Sequence, residues 1–145
     1  MLESDEMGIG YVLMQICRCQ RHRARSCMTD IGLYRGQQWI LRALWEAPGC
    51  TQTELASRIG VKPATITHAL QSMERNGFVE RRPDPSDQRA LRVHPTAKSL
   101  ALRDRIEAQW QQSEREAFAG FSLQELERFR GYLDRVLHNM EPKKD

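Results

Sequence analysis

A chain of 145 residues, 40% hydrophobic and 28% charged, has ordinary globular composition and fits one domain with a real though not generous core. Its formal net charge of +3 is compatible with nucleic acid but too mild to argue for it alone. No apolar run approaches the roughly 18 residues of a membrane span, and the acidic start Met1-Leu-Glu-Ser-Asp-Glu6 is no signal peptide, so no membrane partner and a cytoplasmic location are expected.

Chemistry by catalysis or metal finds no support. The four cysteines, Cys17, Cys19, Cys27 and Cys50, include no Cys-x-x-Cys pair and have no matching His pair, which argues against zinc. His22, His68, His94 and His138 are scattered, and no Ser or Cys has a base at matching spacing. No catalytic residue, metal or cofactor is therefore expected, and the chain does not read as an enzyme.

Residues 8–29 read as a first helix, with Ile9, Leu13, Ile16, Gln20, Ala24 and Cys27 along one stripe and Val12, Cys17 and Met28 beside it. Its middle is basic: Arg18, Arg21, His22, Arg23 and Arg25 occur with no acid between Glu6 and Asp30. That patch is a solvated face, a contact for flanking phosphates, or a means of lowering the thiol pKa of Cys19. Cys17 and Cys19 are two apart, hence on different faces of a helix, and cannot bridge each other within it. Thr29 to Gly36 is a connector. Gln37 to Ala47 is a second helix, ended by Pro48-Gly49, with Ile40, Leu41, Leu44 and Trp45 at core spacing.

Thr51-Gln-Thr-Glu54 is a capping box that starts a short helix, with Leu55, Ala56 and Ile59 inward and Gly60 closing it. After Val61-Lys62, Pro63 suits the first position of a further helix running to Asn76-Gly77. This is helix-turn-helix spacing. Ile66, Ala69, Leu70 and Met73 form the inward face of the second helix. The other face carries Lys62, Thr65, Thr67, His68, Gln71, Ser72 and Arg75, groups able to touch base edges and phosphates in a major groove. A merely solvated face more often carries Glu and Lys at four-residue spacing, and the sole acid of this helix is Glu74.

Phe78 to Arg82 and Ala90 to His94 are strand-like runs around Pro83-Asp-Pro-Ser-Asp-Gln-Arg89, a two-stranded ribbon with a long tip. Appended to a helix-turn-helix, such a ribbon is a wing, and Arg89 is placed to enter a minor groove. Asp87 is expected to hold the Arg89 guanidinium by a charge-assisted hydrogen bond, and Arg82 to anchor the phosphate backbone. Residues 51–96 hold seven Lys or Arg against five acids, whereas 97–145 hold nine of each, so the basic excess lies in the DNA-reading part.

Thr96 caps a long helix to about Phe118, with Leu102, Ile106, Trp110, Ser113 and Ala117 on one stripe. Ser122-Leu-Gln-Glu125 is a second capping box opening a last helix, with Phe121 placed to staple against Leu126. The stripe Leu126, Phe129, Leu133, Val136 or Leu137, Met140 has no large internal partner, which points to a second copy of the chain.

Asp87-Gln-Arg89 through Pro95-Thr96, with Pro83-Asp-Pro-Ser-Asp87 before it, resembles the wing signature of the MarR family of bacterial transcription regulators. The likeness runs from about Gly8 to Met140. Pro95 stands where Leu is usual, and His68 where the family often has Arg, which forks onto guanine O6 and N7 as a neutral imidazole does not. The resemblance implies that a small aromatic ligand lodges between the first two helices and the DNA-binding lobe, with Tyr11, Tyr34 and Trp39 as lining candidates. In the peroxide-sensing branch the reactive Cys lies near the start of the first helix, and alignment on Gly10-Tyr-Val-Leu13 puts Gly10 there, so that residue is not carried over.

The expected architecture is mostly α with a small β-hairpin wing: one domain, 1–145, with dimerisation helices 8–29 and 97–140 and a winged helix-turn-helix lobe 34–96. The expected function is a MarR-type regulator, a repressor binding a palindromic operator in double-stranded DNA as a homodimer and released by a small phenolic ligand. The assigned DNA-binding residues are Lys62, Thr65, Thr67, His68, Gln71, Arg82, Asp87 and Arg89. The competing readings are a winged-helix module that pairs with protein and a cysteine-based redox-sensing regulator.

Overall fold

Caps and turns set the boundaries of six helices in the computed structural model, which describes residues 8–34 and 36–141. They are α1 (Ile9–Ile31), α2 (Gln37–Glu46), α3 (Gln52–Ile59), α4 (Pro63–Arg75), α5 (Ala97–Ala117) and α6 (Leu123–Met140). Both capping boxes form: Thr51 Oγ1 accepts from the Glu54 N–H at 3.2 Å while Glu54 Oε2 accepts from the Thr51 N–H at 2.9 Å. Ser122 and Glu125 exchange the equivalent bonds at 3.2 and 2.7 Å. Each box is worth about 1 kcal/mol to its helix. Gly60, at φ +70°, closes α3 in a conformation that costs a residue with a Cβ far more. Helix α1 continues two residues past the expected end, because the N–H of left-handed Gly32 reaches back to the carbonyls of Met28 and Thr29.

The chain forms two compact units, Met1–Gln109 and Trp110–Asp145. In the first, three antiparallel strands, β1 (Cys50–Thr51), β2 (Val79–Pro83) and β3 (Leu91–Pro95), lie in the order β1-β3-β2. The expected two-stranded ribbon is thus a three-stranded sheet, since Cys50 pairs with Val93 and Thr51 with Arg92. A two-residue strand is too short to leave an alternating pattern, and β1 is made by its partner rather than by its own sequence. Pairing of Val79 with Pro95, Arg81 with Val93 and Arg82 with Arg92 places Val79, Arg81 and Val93 on the inner face and both Arg82 and Arg92 on the outer one.

Leu41, Leu44, Leu55, Ile66, Leu70, Met73, Phe78, Val79 and Val93 are essentially inaccessible, so α2, α3 and α4 pack over the sheet around one core. Ile106 of α5 is also fully buried, and the Arg103 guanidinium lies 5.9 Å from the Trp45 ring centroid on α2. The start of α5 is fastened where expected: Thr96 Oγ1 accepts from the Ser99 N–H at 3.3 Å and donates to the Gly77 carbonyl at 2.6 Å. Of α1 only Met28, beside the expected stripe, is buried, while Ile9 and Ile16 of the stripe and Val12 beside it are exposed.

In the second unit Phe118 meets Phe121 edge-on at 6.0 Å between centroids and Phe129 at 6.2 Å, tying the end of α5 to α6. Phe129, Leu126 and Leu133 are half-buried, but no residue of α6 is buried, and Leu123, Tyr132, Leu137 and Met140 are largely exposed. Among the described residues no helix is long and apolar enough to cross a membrane.

Candidate nucleic-acid interface

Pro63 opens α4 at its first turn, and its inner face of Ile66, Leu70 and Met73 fixes the rotation of the helix on the core. That rotation leaves Lys62, Thr65, His68 and Gln71 exposed on one outer side. None of these four side chains has an internal hydrogen-bond partner among the described residues. Their donors and acceptors are all available to a groove.

Thr67 behaves differently from its neighbours. It is half-buried, its hydroxyl donates to the Pro63 carbonyl at 3.0 Å, and Gln52 Nε2 donates to it at 3.2 Å. Gln52, the first residue of α3, is itself held by Arg81 of β2, whose Nη1 donates to Gln52 Oε1 at 3.4 Å. Arg81 Nε donates to Glu74 Oε2 at 2.8 Å, and this bond holds the Glu74 carboxyl below its ordinary range. Sequence reasoning did not single out Gln52 or Arg81. The signal available was alternation along β2, which puts Arg81 on the same face as buried Val79 and so demands a polar partner inside.

At the wing, Asp87 and Arg89 are both exposed in the turn between β2 and β3. The expected Asp87–guanidinium bond is replaced by a shorter-range one: Asp87 Oδ1 accepts from the main-chain N–H of Arg89 at 3.0 Å, and the Asp87 carbonyl accepts from the Ala90 N–H at 3.0 Å. An Asp two residues before an amide closes an Asx turn more readily than it bends to a long side chain. The Arg89 guanidinium makes no ion pair among the described residues. Arg82 is exposed and paired with Glu80 at 2.7 Å, so a phosphate would have to displace that carboxylate.

The base of the wing rests on Asp84 and Arg92, neither of which the sequence reading assigned. Asp84 is buried; its Oδ1 accepts from the Ser86 N–H at 2.9 Å and the Ser86 hydroxyl at 2.8 Å, and its Oδ2 from Arg92 Nε at 2.9 Å. Arg92 Nη1 also donates to the Gly49 carbonyl at 2.7 Å, joining the wing to the β1 edge. Pairing with Asp84 and with Glu80 lets Arg92 and Arg82 stand opposite each other without a bare like-charge contact. Asp84-Pro-Ser86 was legible as an Asx turn.

The Ser86 N–H, the Ser86 hydroxyl and then Arg92 hold the Asp84 carboxyl below its ordinary value of 3.8. Because the folded value is the lower one, Asp84 stabilises the wing fully above about pH 4 and loses that contribution as pH falls through the depressed value. The Ser86 amide resonance is expected to titrate with a midpoint below 3.8 and to lose this transition in Asp84→Asn. A midpoint at or above the ordinary value would remove Asp84 from this role.

Elsewhere in the first unit, α1 and the start of α2 wall an open cleft of about 1140 Å³, lined by Cys17, Arg21, Arg25, Met28, Tyr34 and Trp39 among others. Tyr34 and Trp39 are therefore together as expected, whereas Tyr11, near the start of α1, is not among the residues of its wall. All four cysteines are free thiols, with Cys17 and Cys19 exposed. Cys50 is buried, and desolvation pushes its thiol up, away from the reactive thiolate. Among the described residues no cluster of His, Cys, Asp or Glu can hold a metal ion.

Residues 33–91, from the connector after α1 to the first residue of β3, match the model of the MarR family. An uncharacterized HTH-type transcriptional regulator of Bacillus subtilis, YybA, is 31% identical over 77% of this chain and 75% of its own length. The chain belongs to the MarR family. An HTH-type transcriptional repressor of Mycobacterium bovis is 26% identical over 92% of this chain and 96% of its own. A MarR protein of Peptoclostridium difficile superposes with a TM-score of 0.87 at 25% identity, covering 92% of this chain and 88% of that one. Transcription regulation through DNA binding is the work of this family.

Proposed function

We propose that this MarR-family protein is a repressor that binds a palindromic operator as a homodimer and is released by a small aromatic ligand. The observation that carries the DNA-binding geometry is the α4 surface, where Lys62, Thr65, His68 and Gln71 are exposed together beside a wing whose Arg89 guanidinium is unpaired among the described residues. In this reading two copies set their α4 helices in successive major grooves about 34 Å apart while each Arg89 enters the flanking minor groove. Arg82 and Asp87 support the wing, one toward phosphate and one by shaping the turn. Segments 8–29 and 97–140 pair the copies and 34–96 reads DNA. Support for pairing comes from the apolar side chains of α6, Leu123, Tyr132, Val136, Leu137 and Met140, which its own unit leaves exposed. The repressor sense is supported by the mycobacterial relative, which is named as a repressor.

The cleft beside α1 is suited to an aromatic acid, with Tyr34 and Trp39 for the ring and Arg21 and Arg25 for the carboxylate. A ligand there releases DNA if it favours a spacing of the two α4 helices that no longer matches the DNA turn. A gel shift on the DNA around its own promoter, with and without salicylate, tests both parts. The expected result is a shifted band that millimolar salicylate reverses, together with saturable quenching of Trp fluorescence that Trp39→Phe abolishes. No shifted band would favour a protein-pairing module, and unsaturable quenching would empty the cleft of this role.

A further inference from the structure

From Arg81 to the Pro63 carbonyl the hydrogen bonds run in one direction, and Arg81 also donates the other way, to Glu74. Arg81 has only donors, so the Gln52 atom facing it at 3.4 Å must be the carbonyl Oε1. The Gln52 amide is thereby oriented, and its Nε2, which can only donate, faces Thr67 Oγ1 at 3.2 Å. Thr67 must accept that bond, and its single hydroxyl hydrogen goes to the Pro63 carbonyl at 3.0 Å. A hydroxyl has one hydrogen and two lone pairs. The hydrogen and one lone pair are committed inside the protein, and one lone pair is left for anything outside.

We propose that Gln52 and Arg81 are positioning residues that make Thr67 an obligate acceptor on the DNA-reading face, so that it selects a base carrying an exocyclic amine. In the major groove only cytosine N4 and adenine N6 offer hydrogens, whereas guanine N7 and O6 and thymine O4 are acceptors and meet the Thr67 lone pair unfavourably. Phosphate oxygens are acceptors too, so Thr67 is a base reader and not a backbone anchor. Glu74 completes the arrangement by fixing Arg81 at 2.8 Å, which couples the wing strand, the start of α3 and the reading helix through side chains alone. Thr65, His68 and Gln71 of α4, whose side chains are unpartnered among the described residues, have no such restriction, and Lys62 at the N-cap can only donate.

This inference rests on the DNA-reading assignment of α4, and the experiment separates the two. Duplexes randomised through an operator half-site are selected by the full-length wild type, by Thr67→Val, which keeps the shape and removes the hydroxyl, and by Gln52→Leu. The wild type is expected to prefer C or A over G or T by about fivefold at one position of each half-site, the worth of roughly one hydrogen bond. Thr67→Val should erase that preference and leave the other positions unchanged, and Gln52→Leu should reduce it to about twofold by freeing the hydroxyl to turn. Thr67→Ser, which retains the hydroxyl, should restore the wild-type profile and excludes a mere loss of folding. Identical profiles for wild type and Thr67→Val, a Thr67-dependent preference for G or T, or a preference untouched by Gln52→Leu would each overturn the inference alone. Failure of the wild type to enrich any sequence would overturn the DNA-reading assignment and this inference with it.

Discussion

Phe78→Ala is expected to lower the unfolding free energy by about 3–5 kcal/mol, the range for truncating a buried aromatic ring, and the melting temperature by roughly 10 °C. Phe78 is 1% exposed, and its ring lies against the end of α1 and the start of α5. A Cβ built on Gly32, at the end of α1, would sit 3.7 Å from its Cζ, and Lys98 Nζ of α5 lies 4.4 Å from its ring centroid. Its main chain is tied at both ends: the N–H bonds to the Met73 carbonyl of α4 at 2.9 Å, and the carbonyl accepts from the Thr96 N–H at 3.2 Å. A site anchored in this way cannot collapse around a missing ring, so the cavity term adds in full to the transfer term. Because the proposed pairing of copies would make unfolding depend on concentration, urea midpoints of wild type and variant should be compared at one protein concentration. A loss under about 1 kcal/mol would mean the ring is not the joint described.

Arg89→Ala should weaken binding to every operator by about tenfold to a hundredfold, the worth of one charge-assisted hydrogen bond. The tip holds its backbone in place before DNA arrives, through Asp87 and the amides of Arg89 and Ala90, while leaving the guanidinium unpaired among the described residues. Little ordering of the turn is then required on binding, and what the substitution removes is the cation itself. The plot of log affinity against log salt should become shallower by about one unit. Fluorescence anisotropy over a series of salt concentrations, repeated on operators altered one base at a time, measures both. An effect confined to particular base changes, with the salt slope intact, would show Arg89 reading a base edge in place of the minor-groove potential.

Local sequence carried much of the architecture. Thr51 and Glu54, Ser122 and Glu125, Pro63, Gly60 and Thr96 each act within a few residues of themselves, and each does in the structure what its type and position imply. The inner face of α4 was equally legible, because Ile66, Leu70 and Met73 repeat with the helical period. The exposed face followed from it, and Lys62, Thr65, His68 and Gln71 are exposed as that period implies.

What the sequence by itself determined, then, were the helix boundaries from α3 onward to within a residue or so, the inner face of α4 and the presence of a wing, all set by interactions between residues close in the chain. Only the tertiary structure decided that Cys50 and Thr51 complete the sheet, that Asp84 reaches Arg92, and that Arg81 meets Gln52 across 29 positions. It also turned Thr67 from a free hydroxyl into one committed internally, and drew Tyr34 and Trp39, without Tyr11, to the cleft. The physical reason is the same in each case: a hydrogen bond between distant residues depends on where packing brings two elements, and periodicity along one element carries no information about the other.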